Sequence, residues 1–263
     1  MRKYWRLIAI QIRVSVASAM AYRANFIIEG VLSAAWLLLT LLPLIVVYQG
    51  EGVAVNGWDL SSALIVMGYF TALRAVLEGI VSPSLVDLVE RIRSGSFDYV
   101  LLKPIDAQVV ISASHFEPWK MFDLVGGIAI ICYAFVKRGA PPAPADVALG
   151  IGLFVAGVLA MYSLWIACAA AAFWVGKLDN LMYLLGAIFD SARWPVYVFP
   201  GAWRIVFTFI IPVAVMTTFP AMALLGTLDA QHVLATIGGA VAMLVISRLV
   251  WRAAIRNYTS ASS

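Results

Sequence analysis

Charge is what this sequence has least of. Only 12% of its 263 residues are Asp, Glu, Lys or Arg, against 63% hydrophobic. A soluble domain carries about 25% charged residues. Half that figure, with apolar runs about 20 residues long, excludes a water-soluble fold and makes lipid the solvent. Cysteine and histidine are also scarce, at two each. Cys132 and Cys168 both fall inside apolar runs and read as small buried hydrophobes, not as a disulfide or metal pair. A phosphate-cradling Gly-x-x-x-x-Gly-Lys-Ser/Thr loop is missing as well. Gly176–Lys177 is the one Gly-Lys pair, with Ala171 where the first glycine belongs and Leu178 where the hydroxyl belongs. The chain is therefore not expected to hydrolyse nucleotide itself, and no catalytic, cofactor-binding or metal-binding residue is assigned. The net charge of +4 does not point to nucleic acid, because the basic residues cluster at span ends, where the inner leaflet selects them.

What is there in abundance is apolar helix. The expected fold is all-α and membrane-integral, one transmembrane domain over residues 1–263 with about six spans: 26–48, 60–81, 121–136, 147–175, 181–198 and 233–251. Residues 1–23 resemble a signal peptide only superficially, because Arg6 and Arg13 interrupt the apolar region and no convincing cleavage site follows. At 100° per residue Arg2, Arg6 and Arg13 share a stripe while Trp5, Leu7, Ile8 and Ile12 fill the rest, the pattern of a retained helix lying on the membrane surface. The stretch 199–226 is apolar enough to cross, yet it carries Pro200, Pro212 and Pro220, which break helices unless neighbours satisfy the freed groups. An even number of spans with both termini inside puts 13 of the 18 Lys/Arg on the cytoplasmic side. A seventh span would expel the Arg248, Arg252, Arg256 tail. Residues 199–226 are thus expected as paired re-entrant or interfacial helices on the outer side. The rival arrangement makes 181–198 a surface segment and 199–226 the fifth span.

Between the second and third spans lies a polar module, "SPSLVDLVERIRSGSFDYVLLKPID". Ser82 or Ser84 can cap a helix, Pro83 suits a first turn, Asp87 completes a capping box with Ser84, and Gly95 supplies a stop. Leu85, Leu88, Val89 and Ile92 line one face of this 82–95 helix; Asp87, Glu90, Arg91 and Ser94 line the other. Three turns do not persist alone in water, so the helix needs a surface: the membrane and flanking spans, or a second, soluble protein.

The run Arg93-x-Gly95-x-Phe97-Asp98-x-x-Leu101-Leu102-Lys103-Pro104 resembles a stretch of ABC-2 type transporter permeases. "RWPVYVFPGAWRIVFTFIIPVAVMTTFPAMALLG" is similar to that family's outer segment, carried by Pro195, Pro200, Arg204, Pro212 and Pro220. The Asn that often precedes the later proline in the wider superfamily is Ile211 here, so the chain looks like a divergent branch. The resemblance implies a permease that dimerises with itself or a related permease, in a bacterial cytoplasmic membrane. It implies a partner ATPase subunit that holds the ATP and magnesium. The helix after the second span would be a coupling helix, with Leu85, Leu88, Arg91, Arg93, Gly95, Asp98 and Lys103 coupling to the ATPase and the five outer residues forming a gate.

Charges inside spans are costly and usually pair or face protein or water. Arg74 and Glu78 sit four residues apart near the inner end of the second span, and Asp190 and Arg193 form a similar pair expected toward the outer end of the fifth. Glu29 has Arg23 as a prospective neighbour. His115, Glu117, Lys120 and Asp123 gather at the entrance of the third span, a mixture too poor in histidine for a metal site. Gly150, Gly152, Ala156, Gly157 and the small residues of 167–174 read as helix packing. An ATP-driven exporter of amphipathic or lipid-like cargo is the leading reading. The alternatives are an ion- or proton-coupled carrier, for which no internal repeat is visible, and a polytopic membrane enzyme, whose only candidate cluster is the one around His115.

Overall fold

The computed structural model describes residues 2–50, 54–175 and 179–258, with the side chains at 2–5, 7, 175, 179–182 and 209–210 excepted. The side chains of Arg2, Trp5 and Leu7, and the turn at 176–178 with Lys177, therefore lie outside the described residues. Helix α1 (Arg2–Ala21) meets α2 (Arg23–Val47) at a bend on Tyr22. Arg6 and Arg13 are exposed on α1, as are Ile10, Val14 and Met20. After α2 a tight turn pairs Val55 with Trp58, and the Asp59 carboxylate caps α3 by accepting from the Ser62 N–H at 3.0 Å.

Helix α3 (Leu60–Arg93) is a single rod of 34 residues. The expected break between a span and a separate foot helix at Ser82 does not occur. Instead the rod loosens into a π turn over Leu77–Val81 and continues with helical dihedrals. The capping box does not form either: Val81, the residue before Ser82, is itself helical and no side chain caps there. The Ser84 hydroxyl turns to the backbone of His115, 3.2 Å away. Pro83 is tolerated mid-rod for a specific reason. Lacking an N–H, it leaves the Gly79 carbonyl without its helical partner, and the Glu117 N–H donates to that carbonyl at 2.8 Å. Gly79 has no side chain to hold the incoming segment off: a Cβ there would stand 3.1 Å from Lys120 Cβ.

The remaining elements wrap α3. Helix α4 (Met121–Arg138) stops at Gly139, whose φ of +71° is left-handed, before the proline-rich turn. Helix α5 (Pro144–Ala170) follows, and a short turn of helix at Ala172–Val175 ends the expected 147–175 span. Helix α7, the last, is Ala230–Arg256, with α6 (Asp179–Phe189) before it. Among the described residues five helices are long and apolar enough to cross a membrane: α2, α3, Pro118–Arg138, Pro144–Trp174 and α7. The α3 window is 78% buried, against 11% for α2 and 17% for α7, so α3 is the centre. Glycine lets α4 lie directly on it. A Cβ at Gly127 would sit 2.7 Å from the Gly68 carbonyl, and one at Gly68 would sit 2.7 Å from the Gly127 carbonyl, the small-residue approach that adds dispersion contacts in lipid.

The expected fifth span, 181–198, is not one helix. α6 ends at Phe189, whose ring packs on Phe70 and Trp165. A 3-10 turn over Asp190–Arg193 follows, and then Trp194 becomes extended before Pro195. The cause is local: proline disfavours helical geometry in the residue before it and cannot donate the next helical bond. The chain still reaches the far end of the bundle, where Tyr197 stacks on Trp58 and accepts from Asn56. Residues 199–226 also fail to make one helix. Ala202–Ile205 runs into a π turn over Val206–Ile210; the chain turns at Ile211–Pro212 and returns through Ala214–Thr218 and Phe219–Leu224. This hairpin leans on α5, where Gly157 admits the Met216 backbone and Gly150 admits Leu224, and it ends with Gly226 against Asp146. Gly152, expected among the packing residues, faces open space. Cys132, expected to be buried, is exposed, and Cys168 is half-buried; both are free thiols.

Candidate functional site

Two polar assemblies occupy this apolar bundle. The first is a ladder of charge along α3. Arg74 Nε donates to Glu78 Oε1 at 2.6 Å, and Lys120 Nζ donates to Glu78 Oε2 at 2.6 Å. Lys120 also stands 3.6 Å from Asp123, which accepts from the Ser33 hydroxyl of α2. On the other side Arg74 approaches Asp190 at 3.8 Å, and Asp190 pairs with Arg193 at 3.5 Å, whose guanidinium lies 5.8 Å over the Phe70 ring. Three cations alternate with three carboxylates, so the ladder is neutral, and no member is stranded in lipid at a cost of about 2.5–3.5 kcal/mol.

The two pairs expected to be separate are thus joined. Asp190 and Arg193 lie level with Phe70 and Arg74, well inside the bundle, not at the Trp58 end where the uninterrupted span would have carried them. The helix stops at Phe189, and the following turn leaves their side chains at mid-height. The His115 group divides. Lys120 and Asp123 enter the ladder, while His115 turns to Asp87, 3.7 Å away on α3. Glu29 makes no ion pair with Arg23. It faces Glu117, whose carboxyl is pushed above its ordinary range by burial first, with Glu78 and Glu29 adding to it against Lys120. Among the described residues no three metal-ligating side chains come together.

The second assembly holds the tip of α3. Gly95, with φ of +72°, ends the rod, and the Phe97 N–H closes back on the Arg91 carbonyl at 3.0 Å. Phe97 is fully buried, edge-on to Phe173 at 5.3 Å, Tyr258 at 5.3 Å and Trp251 at 6.4 Å. Burial, and then the neighbouring Asp98 carboxylate, push the Tyr258 hydroxyl up. Arg248 of α7 clasps Asp106 and donates to Gln108 Oε1 at 2.6 Å; Gln108 in turn donates to the Tyr162 hydroxyl of α5 at 2.9 Å. The Arg248 hydrogen bonds hold the Asp106 carboxyl below its ordinary range. Sequence reasoning missed this clasp, since its partners are 142 residues apart and no local spacing announces it.

Of the residues expected to couple to a partner, Leu85 and Leu88 are buried against the bundle. They seat the rod and cannot themselves reach another protein. Arg91 is half-buried and bound to Asp87 at 2.6 Å. Arg93 and Lys103 are exposed, and beside them Tyr99 (71%) and Leu102 (80%) form an apolar surface that nothing covers. Of the expected gate residues, Pro200 and Arg204 are exposed at the Trp58 end, Arg204 lying 5.1 Å over the Tyr197 ring, while Pro195, Pro212 and Pro220 are buried in the broken crossing and the hairpin. A hollow of about 750 Å³ between α3, α4 and α5 is apolar except for the Tyr69 hydroxyl.

The model of one protein family, ABC-2 family transporter protein, matches residues 34–262. This chain belongs to that family. Comparison with curated proteins and with solved structures gave no match. As an ABC-2 family member the chain is a membrane transport component, and the match spans both the charge ladder and the tip of α3. The membership fits what the bundle displays, apolar helices around a central rod.

Proposed function

We propose that the chain is the permease subunit of an ATP-driven exporter in a bacterial cytoplasmic membrane, with ATP and magnesium held by a separate ATPase subunit. The observation that carries this reading is the continuity of α3. At 1.5 Å per residue the rod is about 50 Å long, whereas the hydrocarbon core is about 30 Å thick. With Trp58 at one headgroup layer, roughly 20 Å of the Arg93 end stands beyond the hydrocarbon. The same rod carries Arg74 and Glu78, so displacement of its tip bears directly on the ladder. Tyr99 and Leu102, apolar and open on the part that leaves the lipid, need a protein surface, and Glu90, Arg93 and Lys103 supply a polar rim for it.

The Arg93 end also collects Arg6, Arg13, Arg23, Arg252 and Arg256, against Lys137, Arg138 and Arg204 at the Trp58 end. The positive-inside bias makes the Arg93 end cytoplasmic, together with both termini. The hairpin 202–224 then closes the outer mouth, and a second copy of the chain or a related permease packs on α2, the least enclosed span. The translocated solute is amphipathic or lipid-like, in keeping with the apolar interior.

Leu102→Cys, in a background with Cys132→Ser and Cys168→Ser, is expected to react with a membrane-impermeant maleimide in inverted vesicles and not in right-side-out ones. Arg93→Glu with Leu102→Asp is expected to abolish co-purification of the ATPase while membrane insertion persists. Labelling from the outside, or unchanged ATPase recovery and transport, refutes the lever.

A further inference from the structure

A hollow of about 580 Å³ separates α1 from the tip of α3, and its wall is cationic. Arg6 reaches it from α1, Arg91 from the rod and Lys103 from the tip, with His115 at the edge, and no carboxylate lines it. Arg91 engages Asp87 through Nε, which leaves its terminal nitrogens available. Arg6 and Lys103 have no ion-pair partner among the described residues. Much of the remaining lining is apolar and includes Ile10, Ile105 and Val110. The Gln11 amide donates to the Ser114 carbonyl and joins α1 to the segment that carries His115.

Asp87 balances Arg91 from outside the hollow, but Arg6 and Lys103 bring two further cations to a lining that holds no carboxylate, and an anion at their centre relieves the repulsion that remains. Guanidinium and ammonium groups together suit a phosphate, the first by its planar fork and the second as a point charge. A free phosphate uses only the cationic part of the lining. A phospholipid headgroup can use both kinds of lining, its phosphate on the cations and its glycerol on the isoleucines and valine. We infer that this hollow binds the phosphate of an anionic phospholipid and thereby fastens α1 to the tip of α3. The inference stands apart from the exporter reading, for it needs only a membrane and not an ATPase.

Native mass spectrometry of the full chain in detergent tests it, with phosphatidylglycerol as the probe. A first phosphatidylglycerol is expected to bind more tightly than phosphatidylcholine. Arg6→Gln, Arg91→Gln and Lys103→Gln should each weaken it about fivefold, the worth of one basic residue near an anionic surface. Arg256→Gln, which removes a cation at the same end but off the hollow, should leave it unchanged. Since Arg91 also holds Asp87, the Arg6 and Lys103 variants carry the test if Arg91→Gln misfolds. Equal binding of the two lipids, unchanged binding by these variants, or an equal loss with Arg256→Gln overturns the site. Displacement of phosphatidylglycerol by inorganic phosphate at equal concentration overturns the lipid assignment in favour of a free anion.

Discussion

Replacing Phe97 by alanine tests whether the tip of α3 is held by its aromatic box. The ring is fully buried and meets Phe173, Tyr258 and Trp251 edge-on. Truncating a buried phenylalanine costs about 3–5 kcal/mol, and each edge-to-face pair adds about 0.5–1.5 kcal/mol beyond area. Val100, 2% exposed, is a second buried anchor of the tip, and the Arg248–Asp106 clasp holds the chain just beyond it. A loss of about 3 kcal/mol corresponds to a rise of more than 100-fold in the open population, at 1.4 kcal/mol per factor of ten. Arg93 begins the tip and is exposed, so trypsin reports the opening directly when cleavage is slow relative to closing. Peptides ending at Arg93 should appear more than about 100-fold faster in Phe97→Ala, while cleavage at Lys137 and Arg138, at the other end of the bundle, keeps its rate. Tyr99→Ala, which removes an exposed ring, serves as the control and should not change. An unaltered rate in Phe97→Ala, or equal acceleration at both ends, refutes the idea of a locally latched tip.

Other outcomes follow from the same geometry. Asp106 is held below the ordinary carboxylate range by Arg248. Its contribution is therefore complete above the unfolded pKa of about 3.9 and is lost as pH falls through the lower folded value. Acid unfolding followed by tryptophan fluorescence should shift to higher pH in Arg248→Gln, and Asp106→Asn should flatten the dependence. Gly68→Leu should lower thermal stability by more than about 1–3 kcal/mol, the usual cost of overpacking, because its Cβ would meet the Gly127 carbonyl at 2.7 Å, a backbone atom that cannot rotate away. Glu78→Gln should destabilise the bundle more than Glu78→Gln with Lys120→Met, since the single change strands Lys120 and the double change removes its charge too. Thermal unfolding in detergent gives the comparison, and strict additivity refutes the ladder.

Composition alone determined the solvent, and with it much of the architecture. Apolar runs of about 20 residues in a chain with 12% charge must become helices, because in lipid each backbone polar group has to be satisfied within its own segment. Gly95 as a stop and the Arg74–Glu78 spacing act within one or two turns, so local rules suffice for them. Proline was readable too: three of them in 199–226 argued against an unbroken crossing. Local rules failed where a distant segment took over. Ser84 and Pro83 look like a helix start, but Glu117 supplies the bond that Pro83 forfeits, so the rod runs on. Leu85 and Leu88 form a correct apolar face whose cover is the chain itself and not a partner. Asp190 looks like an outer-end residue until Pro195 ends the helix early and leaves it level with Arg74. Sequence by itself fixes which charges need company, since burial in lipid is costly wherever it occurs. Only the tertiary structure decides which company they keep, because that depends on the depth at which each segment stops, and depth is set by packing between residues tens of positions apart.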